Sequence, residues 1–347
     1  MYGTVVRFVP SGGVRVADIG VALLGLGRAG SFHLASIGVI DGIVLRQVFD
    51  TDADRAADVA AATGATTALS GAAAVAASDV DAVVVASPTL THHDHVIAAL
   101  AAGKPVLSEK PLGTTLADID ACFDGAAAAQ VPLLVAFQRR FDPSFAAVAR
   151  AAHAGEAGEL QFIRSVSRDN PVPSLDYIAT SCGIFHDCVV HDFDMVCHVA
   201  QSAPVEVHAF ASSFIAGIGA LGDVDNVAVS LRFESGLLAT IDVNRSSAYG
   251  YDQRLEVFGS DGMLQVENRP LAAAPCSDDH GLLQPRIDWS FPTRYADAYR
   301  LEFVHFIDCV RGDAVPEIGA DDVRRSHLVA NAAEASLESG VVVALDA

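Results

Sequence analysis

The segment HDCVVHDFDMVCHVA (186–200) places Asp187, His191, Asp194 and His198 at i, i+4, i+7 and i+11. On a helix these residues share one face. A carboxylate one turn from an imidazole can hold the ring's tautomer and stabilise its charged form. That is the arrangement of a general base with its orienting partner. The same residue types admit two plainer readings, a histidine satisfied within the core and, with Cys188, a metal site. Against the metal, Cys188 sits about 60° off the His191–His198 stripe at roughly 100° per residue.

A lysine is the second chemical candidate. The chain holds 20 arginines and only two lysines, Lys104 and Lys110. Arginine stays charged at any working pH, whereas a lysine's compact ammonium can be tuned by its surroundings. Lys110 lies in VLSEKPLGTT (106–115), between Glu109 and a proline that restricts its backbone. Position alone also allows a surface lysine in a turn. His92, His93 and His95 form a third cluster. Their spacings do not share a helix face, so they do not read as a metal site. His92 is expected near a strand end beside a cofactor, and the other two on a helix surface.

Gly25, Gly27 and Gly30 in GLGRAG lie between an apolar strand, IGVALLG, and the start of a helix. The first glycine suits a tight turn, the second lets the backbone approach a pyrophosphate, and the third lets helix pack on strand. The helix N-terminus then faces the negative charge. Asp50 ends the next strand, 20 residues after Gly30. Its carboxylate would accept hydrogen bonds from ribose hydroxyls and repel a 2′-phosphate. The neighbours Thr51 and Asp52 bring no positive charge, so the expected cofactor is NAD, with NADP second.

These groups need elements to hold them. From residue 18, strands at 19–25, 43–50, 81–87, 105–109 and 131–138 alternate with helices at 53–64 and 91–103. That rhythm predicts a doubly wound parallel sheet, a Rossmann α/β domain. Lys110 then sits at a carboxyl end of the sheet, where such folds bind ligands. Beyond 140 the pattern changes. A helix at 143–155 and another at 185–200 are joined by segments of period-two alternation such as NVAVSLRFES and LLATIDVNRS. They predict an α+β domain with a large, mostly antiparallel open sheet. Helices at 293–312 and 320–339 and a final strand close it. The expected organisation is an N-terminal extension over 1–17, a nucleotide-binding domain over 18–140 and a substrate-binding and oligomerisation domain over 141–347.

Composition limits the alternatives. Half the residues are apolar, enough for sizeable cores, yet no apolar stretch reaches about 18 residues. A net charge of −21 disfavours nucleic acid and anionic membranes as partners. Six scattered cysteines without a CxxC pair read as free thiols. With no leader-like segment at the N-terminus, the cytoplasm is the expected location.

GLGRAG together with SPTLTHHDHVIAALAAGKPVLSEKPLGTT (87–115) resembles the glucose-fructose oxidoreductase/inositol dehydrogenase family of NAD(P)-dependent dehydrogenases. The Glu-Lys-Pro triplet is that family's signature, with the lysine at the active site. AFQRRFDPSF (136–145), SCGIFHDCVVHDFDM (181–195), YGYDQRLEVFGSDGMLQVEN (249–268) and RYADAYRLEF (294–303) resemble its inositol 2-dehydrogenase branch. The likeness spans about residues 18–345. One departure is Cys182, where the pattern usually has a second glycine.

The resemblance implies roles for individual residues. His191 would be the general base, Asp187 its orienting partner, and Lys110 a donor to the reacting oxygen. Asn170, Asp194 and Tyr251 would bind other ring hydroxyls of the substrate. Leu26, Arg28 and Ala29 would join the glycines at the cofactor, with Ser87, Thr89, His92, Glu109 and Lys110. No metal is expected. The implied reaction is NAD-dependent oxidation of a cyclitol hydroxyl, foremost myo-inositol to the 2-keto compound. Another inositol isomer or an aldose is the alternative substrate, and a non-catalytic NAD-binding sensor the alternative class. Relatives associate through the second-domain sheet, which implies a homo-tetramer.

Overall fold

The computed structural model describes residues 18–271, 275–278, 281–283 and 285–345; the expected N-terminal extension, 1–17, lies outside the described residues. The first domain is built on strands β1 (Ile19–Leu24), β2 (Ile43–Phe49), β3 (Thr66–Thr67), β4 (Ala82–Val85), β5 (Val106–Glu109) and β6 (Leu133–Ala136). All pair in parallel, in the order β3-β2-β1-β4-β5-β6. Every residue of β1, β4, β5 and β6 is buried, as in a sheet covered on both faces. The covering helices are α1 (Arg28–Ile37), α2 (Ala53–Thr63), α3 (Gly71–Ala76), α4 (His92–Ala101) and α5 (Leu116–Ala129). Chain order reverses between β1 and β4, which opens a crevice at their carboxyl ends.

The second domain begins with α6 (Pro143–His153), β7 (Leu160–Arg168) and α7 (Leu175–Ile178). A π-helix, Phe185–Val189, runs directly into α8 (Val190–Ala200). Then come β8 (Pro204–Ser212), α9 (Ala216–Ala220), β9 (Asn226–Phe233), β10 (Leu238–Asn244), β11 (Asp252–Gly259) and β12 (Met263–Val266). A short hairpin of β13 (Cys276–Asp278) and β14 (Gly281–Leu283) precedes α10 (Phe291–Arg294), α11 (Ala296–Arg311), α12 (Ala320–Ser339) and β15 (Val343–Ala344). The large sheet has seven strands, β12-β11-β7-β10-β9-β8-β15, antiparallel except for the β7–β10 pair. On β9, Val227, Val229, Leu231 and Phe233 face the core while Ala228, Ser230 and Arg232 face out. The opposite face leaves Phe210, Leu238, Phe258 and Met263 exposed.

Two features depart from the reading by period. Helix α11 contributes Phe303, Phe306 and Ile307 to the first core and Ala298 and Tyr299 to the second. The cores therefore interlock instead of dividing cleanly at residue 140. The segment 185–200 is not one regular helix. Its π turn carries an extra residue, which rotates everything after it by roughly 100° relative to a continuous α-helix.

Cys182 occupies a left-handed turn, φ +66°, beside Gly183 at +79°. A Cβ there costs roughly 1–2 kcal/mol. Glycine relieves that cost but gains unfolded-state freedom worth about 0.4–1 kcal/mol. Cys182→Gly is expected to raise the chemical-denaturation midpoint modestly. A lower midpoint would mean that the thiol's packing outweighs the strain.

Candidate active site

A cleft of about 380 Å³ opens at the carboxyl ends of β1, β4 and β5, and the second domain supplies its far wall. On the near wall the glycine loop bends sharply. Gly25 has φ +92°, and a Cβ on it would lie 2.4 Å from Ala86 O and Ser87 N. A Cβ on Gly30 would meet Gly25 O at 2.1 Å. Gly27 has open space before it, and Gly27, Arg28 and Ala29 line the cleft. The first turn of α1 has neither a side-chain cap nor an acidic residue. Its free N–H groups suit an anionic pyrophosphate, so the loop fits a dinucleotide.

Asp50, on the same wall, is fixed by backbone donors: Leu26 N at 2.7 Å and Asp52 N at 2.8 Å. Leu26 is thus a buried support, with its amide holding the carboxylate. Arg55, from the first turn of α2, reaches the cleft and lies 3.5 Å from Asp50. Sequence neighbours of Asp50 did not reveal this cation, because the turn between strand and helix separates them. Ser87, Thr89, His92 and Glu109 also line the cleft. The His92 ring nitrogens lie 2.7 Å from Ser87 O and 2.8 Å from Pro111 O, which ties the loop after β4 to the loop after β5. Glu109 is paired with buried His33 at 3.0 Å.

On the floor, Lys110 and Asp187 meet. The lysine Nζ donates to Asp187 O at 2.5 Å and lies 3.3 Å from Asp187 Oδ1. Tyr177 donates its hydroxyl to Oδ1 at 2.6 Å, and fully buried Arg245 donates to Oδ2 at 2.8 Å. Burial by itself would raise the Asp187 pKa. The Lys110 and Arg245 charges, with the bonds from Tyr177 and Arg245, outweigh it and hold the carboxyl well below the usual carboxylate range. His191 lies in the same cleft, its ring edge-on to Phe137 at 5.9 Å. Burial and then the charges of Lys110 and Arg139 push its pKa well below the ordinary value, so the ring is neutral. Its buried Nδ1 has no hydrogen-bond partner. Among the described residues no hydrogen bond joins Asp187 to His191; the carboxylate is taken by Tyr177, Arg245 and Lys110.

Two expected residues stand elsewhere. Asp194 is buried away from the cleft in a bidentate pair with Arg140, at 2.6 and 2.9 Å, and Arg140 also binds Asp322. The phase slip of the π turn explains this, since a regular helix would keep Asp194 on the face of Asp187. Asn170 spends its amide on Trp289 O at 2.8 Å and does not line the cleft. Its neighbour Asp169 does. Burial pushes the Asp169 carboxyl up to about 6, and the charge of Asp187 adds to the shift. Tyr251, as expected, is buried in the wall.

Arg139 also lines the cleft and bonds Asp192, which accepts from Ser165 and Ser167 at 2.6 and 2.7 Å as well. Position just past β6, at a strand's carboxyl end, is the sequence signal that could have singled out Arg139. Nothing local marks Arg245 or Tyr177. Cys188 lines the cleft too, with Arg245 at 3.3 Å from its sulfur.

A glycine-loop dinucleotide site facing a lysine, a buried carboxylate and a histidine from an open-sheet domain defines a two-domain NAD-binding oxidoreductase. Comparison with known proteins agrees with that class. Residues 19–137 match the NAD-binding Rossmann fold of an oxidoreductase family, and residues 145–265 match the GFO/IDH/MocA C-terminal domain. The chain belongs to the GFO/IDH/MocA family. It is 38% identical to the myo-inositol 2-dehydrogenase of Thermotoga maritima, over 94% of this chain and 98% of that one. It is 37% identical to the inositol 2-dehydrogenase of Rhizobium meliloti, over 91% and 96%. The crystal structure of scyllo-inositol dehydrogenase from Lactobacillus casei with bound NAD(H) and scyllo-inositol superposes with a TM-score of 0.88. That pair shares 26% identity and covers 94% of this chain and 99% of that one.

Arg245 is the buried counter-charge of Asp187, so its removal strands a charge. Arg245→Met is expected to destabilise the fold by about 3–5 kcal/mol, read from a denaturation midpoint. A loss below about 1 kcal/mol would show that Lys110 alone balances the carboxylate.

Proposed function

We propose that the chain is an NAD-dependent cyclitol dehydrogenase that oxidises a ring hydroxyl, foremost myo-inositol at C2 to the 2-keto inositol. The observation that carries this reading is the meeting of Lys110, Asp187 and His191 on the floor of a cleft whose near wall is the glycine loop. The inositol dehydrogenases among its relatives support it. Bound at the glycine loop, NAD supplies the acceptor for the hydride that leaves the carbinol carbon.

The residues of the chain do the rest. His191, neutral in the buried wall, takes the hydroxyl proton. Lys110 donates a hydrogen bond to the same oxygen and stabilises the negative charge that develops there. Asp187 holds the ammonium in place and balances the charged imidazole through space. Asp169 and Tyr251 bind other ring hydroxyls, because an unpaired buried polar group costs about 1–3 kcal/mol. Asp50 receives the ribose hydroxyls and disfavours a 2′-phosphate, although Arg55 beside it tempers that selectivity. We also place the enzyme in the cytoplasm as a homo-tetramer, joined through the face that exposes Phe210, Leu238 and Phe258. Among the described residues no helix is long and apolar enough to cross a membrane.

The first test is a panel of myo-inositol, scyllo-inositol, chiro-inositol, glucose and xylose with NAD or NADP, followed by absorbance of the reduced cofactor. Fast reduction of NAD by myo-inositol is the expected result; silence across the panel would sink the reading. His191→Ala should lower turnover about 10²–10⁴-fold while NADH still binds. Turnover near wild type would remove the assigned base.

The Asp169 carboxyl, raised to about 6, gives a signed pH dependence. A folded-state pKa above the ordinary carboxylate value means that the carboxylate is present above about pH 6 and lost below it. Polyol kcat/KM should therefore fall as pH drops through about 6, and Asp169→Asn should abolish that limb. A limb unchanged in the variant would assign it to another group.

A further inference from the structure

Arg28, Tyr177 and Phe291 meet across the mouth of the cleft. Arg28 is the first residue of α1, in the glycine loop, and is exposed. Its guanidinium carbon lies 4.8 Å from the Tyr177 ring centroid and 4.8 Å from that of Phe291. Both rings belong to the second domain, on α7 and at the start of α10. Phe291 is steadied by an edge contact to Phe32 of α1 at 5.2 Å. The Tyr177 hydroxyl continues inward to Asp187 Oδ1 at 2.6 Å, the oxygen that also lies 3.3 Å from Lys110 Nζ.

A guanidinium held by contacts to aromatic rings still has N–H donors to offer. Among the described residues Arg28 has no carboxylate within ion-pair distance, so its charge is open to an anion. The loop that carries it fits a pyrophosphate. Two roles thus fall on one line of contacts, from the phosphate loop to a ring, and from that ring's hydroxyl to the carboxylate beside Lys110.

We propose that Arg28 and Tyr177 are a positioning pair that couples dinucleotide binding to the placement of Asp187. The bound anion fixes Arg28, the contact with Arg28 fixes the Tyr177 ring, and the tyrosine hydroxyl fixes the carboxylate oxygen facing Lys110. Neither residue touches the reacting atoms. The coupling to turnover rests on the catalytic roles proposed above, while the coupling to cofactor affinity does not.

The experiment is a double-mutant cycle on NADH affinity, read by fluorescence titration of the purified enzyme. Tyr177→Ala should weaken NADH binding about five- to tenfold, the loss of one exposed to half-buried cation–π contact, and Arg28→Ala, which loses both ring contacts and the anion's partner, at least as much. The double variant should be little weaker than the worse single. Tyr177→Phe keeps the ring, so its NADH affinity should match wild type while kcat falls about tenfold. Additive losses in the cycle, or an unchanged affinity in Tyr177→Ala, would overturn the pair. Wild-type kcat in Tyr177→Phe would overturn the link to Asp187. If circular dichroism shows Tyr177→Ala unfolded, Phe291→Leu removes the other ring and runs the same cycle with the same criteria. The catalytic reading fails separately, if His191→Ala keeps its turnover.

Discussion

A carboxylate buried without compensation would take up a proton instead of staying charged. Asp187 avoids this with two cations and a hydroxyl: Lys110, Arg245 and Tyr177. Those partners come from the loop after β5, from the residue after β10 and from α7, so one ionised oxygen pair ties the nucleotide-binding sheet to the second domain. The architecture around it follows. The π-helix brings the backbone carbonyl of Asp187 to Lys110, and β10 must end where Arg245 can reach inward. Shared helix α11 keeps the two domains in register while these contacts form.

The cleft is far closer to neutral than the chain as a whole. The chain carries −21, yet Arg28, Arg55, Lys110 and Arg139 all line the cleft. Asp50, Glu109, Asp169 and Asp187 line it too, so cations and carboxylates are matched there and the acidic excess lies elsewhere on the chain. Burial, and then the charges of Lys110 and Arg139, lower the His191 pKa, which favours the neutral ring that the proposed base role requires. In the reaction proposed above, the nearby Asp187 charge offsets part of the repulsion between a protonated His191 and the cations Lys110 and Arg139.

What could be read from the sequence was whatever depends on local chain geometry. The glycine loop, the acid at the end of the second strand and the lysine after the fourth long strand are each marked by their immediate sequence context, and the sheet's topology brings them together. Period-two alternation located the seven-stranded sheet, because one covered face imposes it. The residues placed differently from that reading have separate causes. The resemblance gave Asp194 its place at the substrate and helical spacing put it on the face of Asp187; the π turn interrupts that phase, and no residue preference announces such a turn. Asn170 and Asp169 are adjacent at the end of β7, so a one-residue difference decides which side chain enters the cleft. Arg245 and Tyr177 are drawn into the site by their bonds to Asp187, and the Arg245 contact closes 58 residues of chain, beyond any periodicity.

The geometry also answers why position 110 is a lysine in a chain that otherwise prefers arginine. Asp187 is held by one cation of each kind, in different surroundings. Arg245 is fully buried, and its planar fork spans two carboxylates, Asp187 at 2.8 Å and Asp223 at 3.4 Å. That is work for a rigid, weakly hydrated guanidinium. Lys110 faces the cleft. Its ammonium has three donors; the Asp187 carbonyl and carboxylate take two, and the third is left for an oxygen arriving from the cleft. An arginine reaching the same carboxylate would engage it with its flat fork, fill the space above it and present no compact donor to a substrate hydroxyl beside His191. The two cations are therefore not interchangeable: arginine is suited to the closed side of the carboxylate and lysine to the open side.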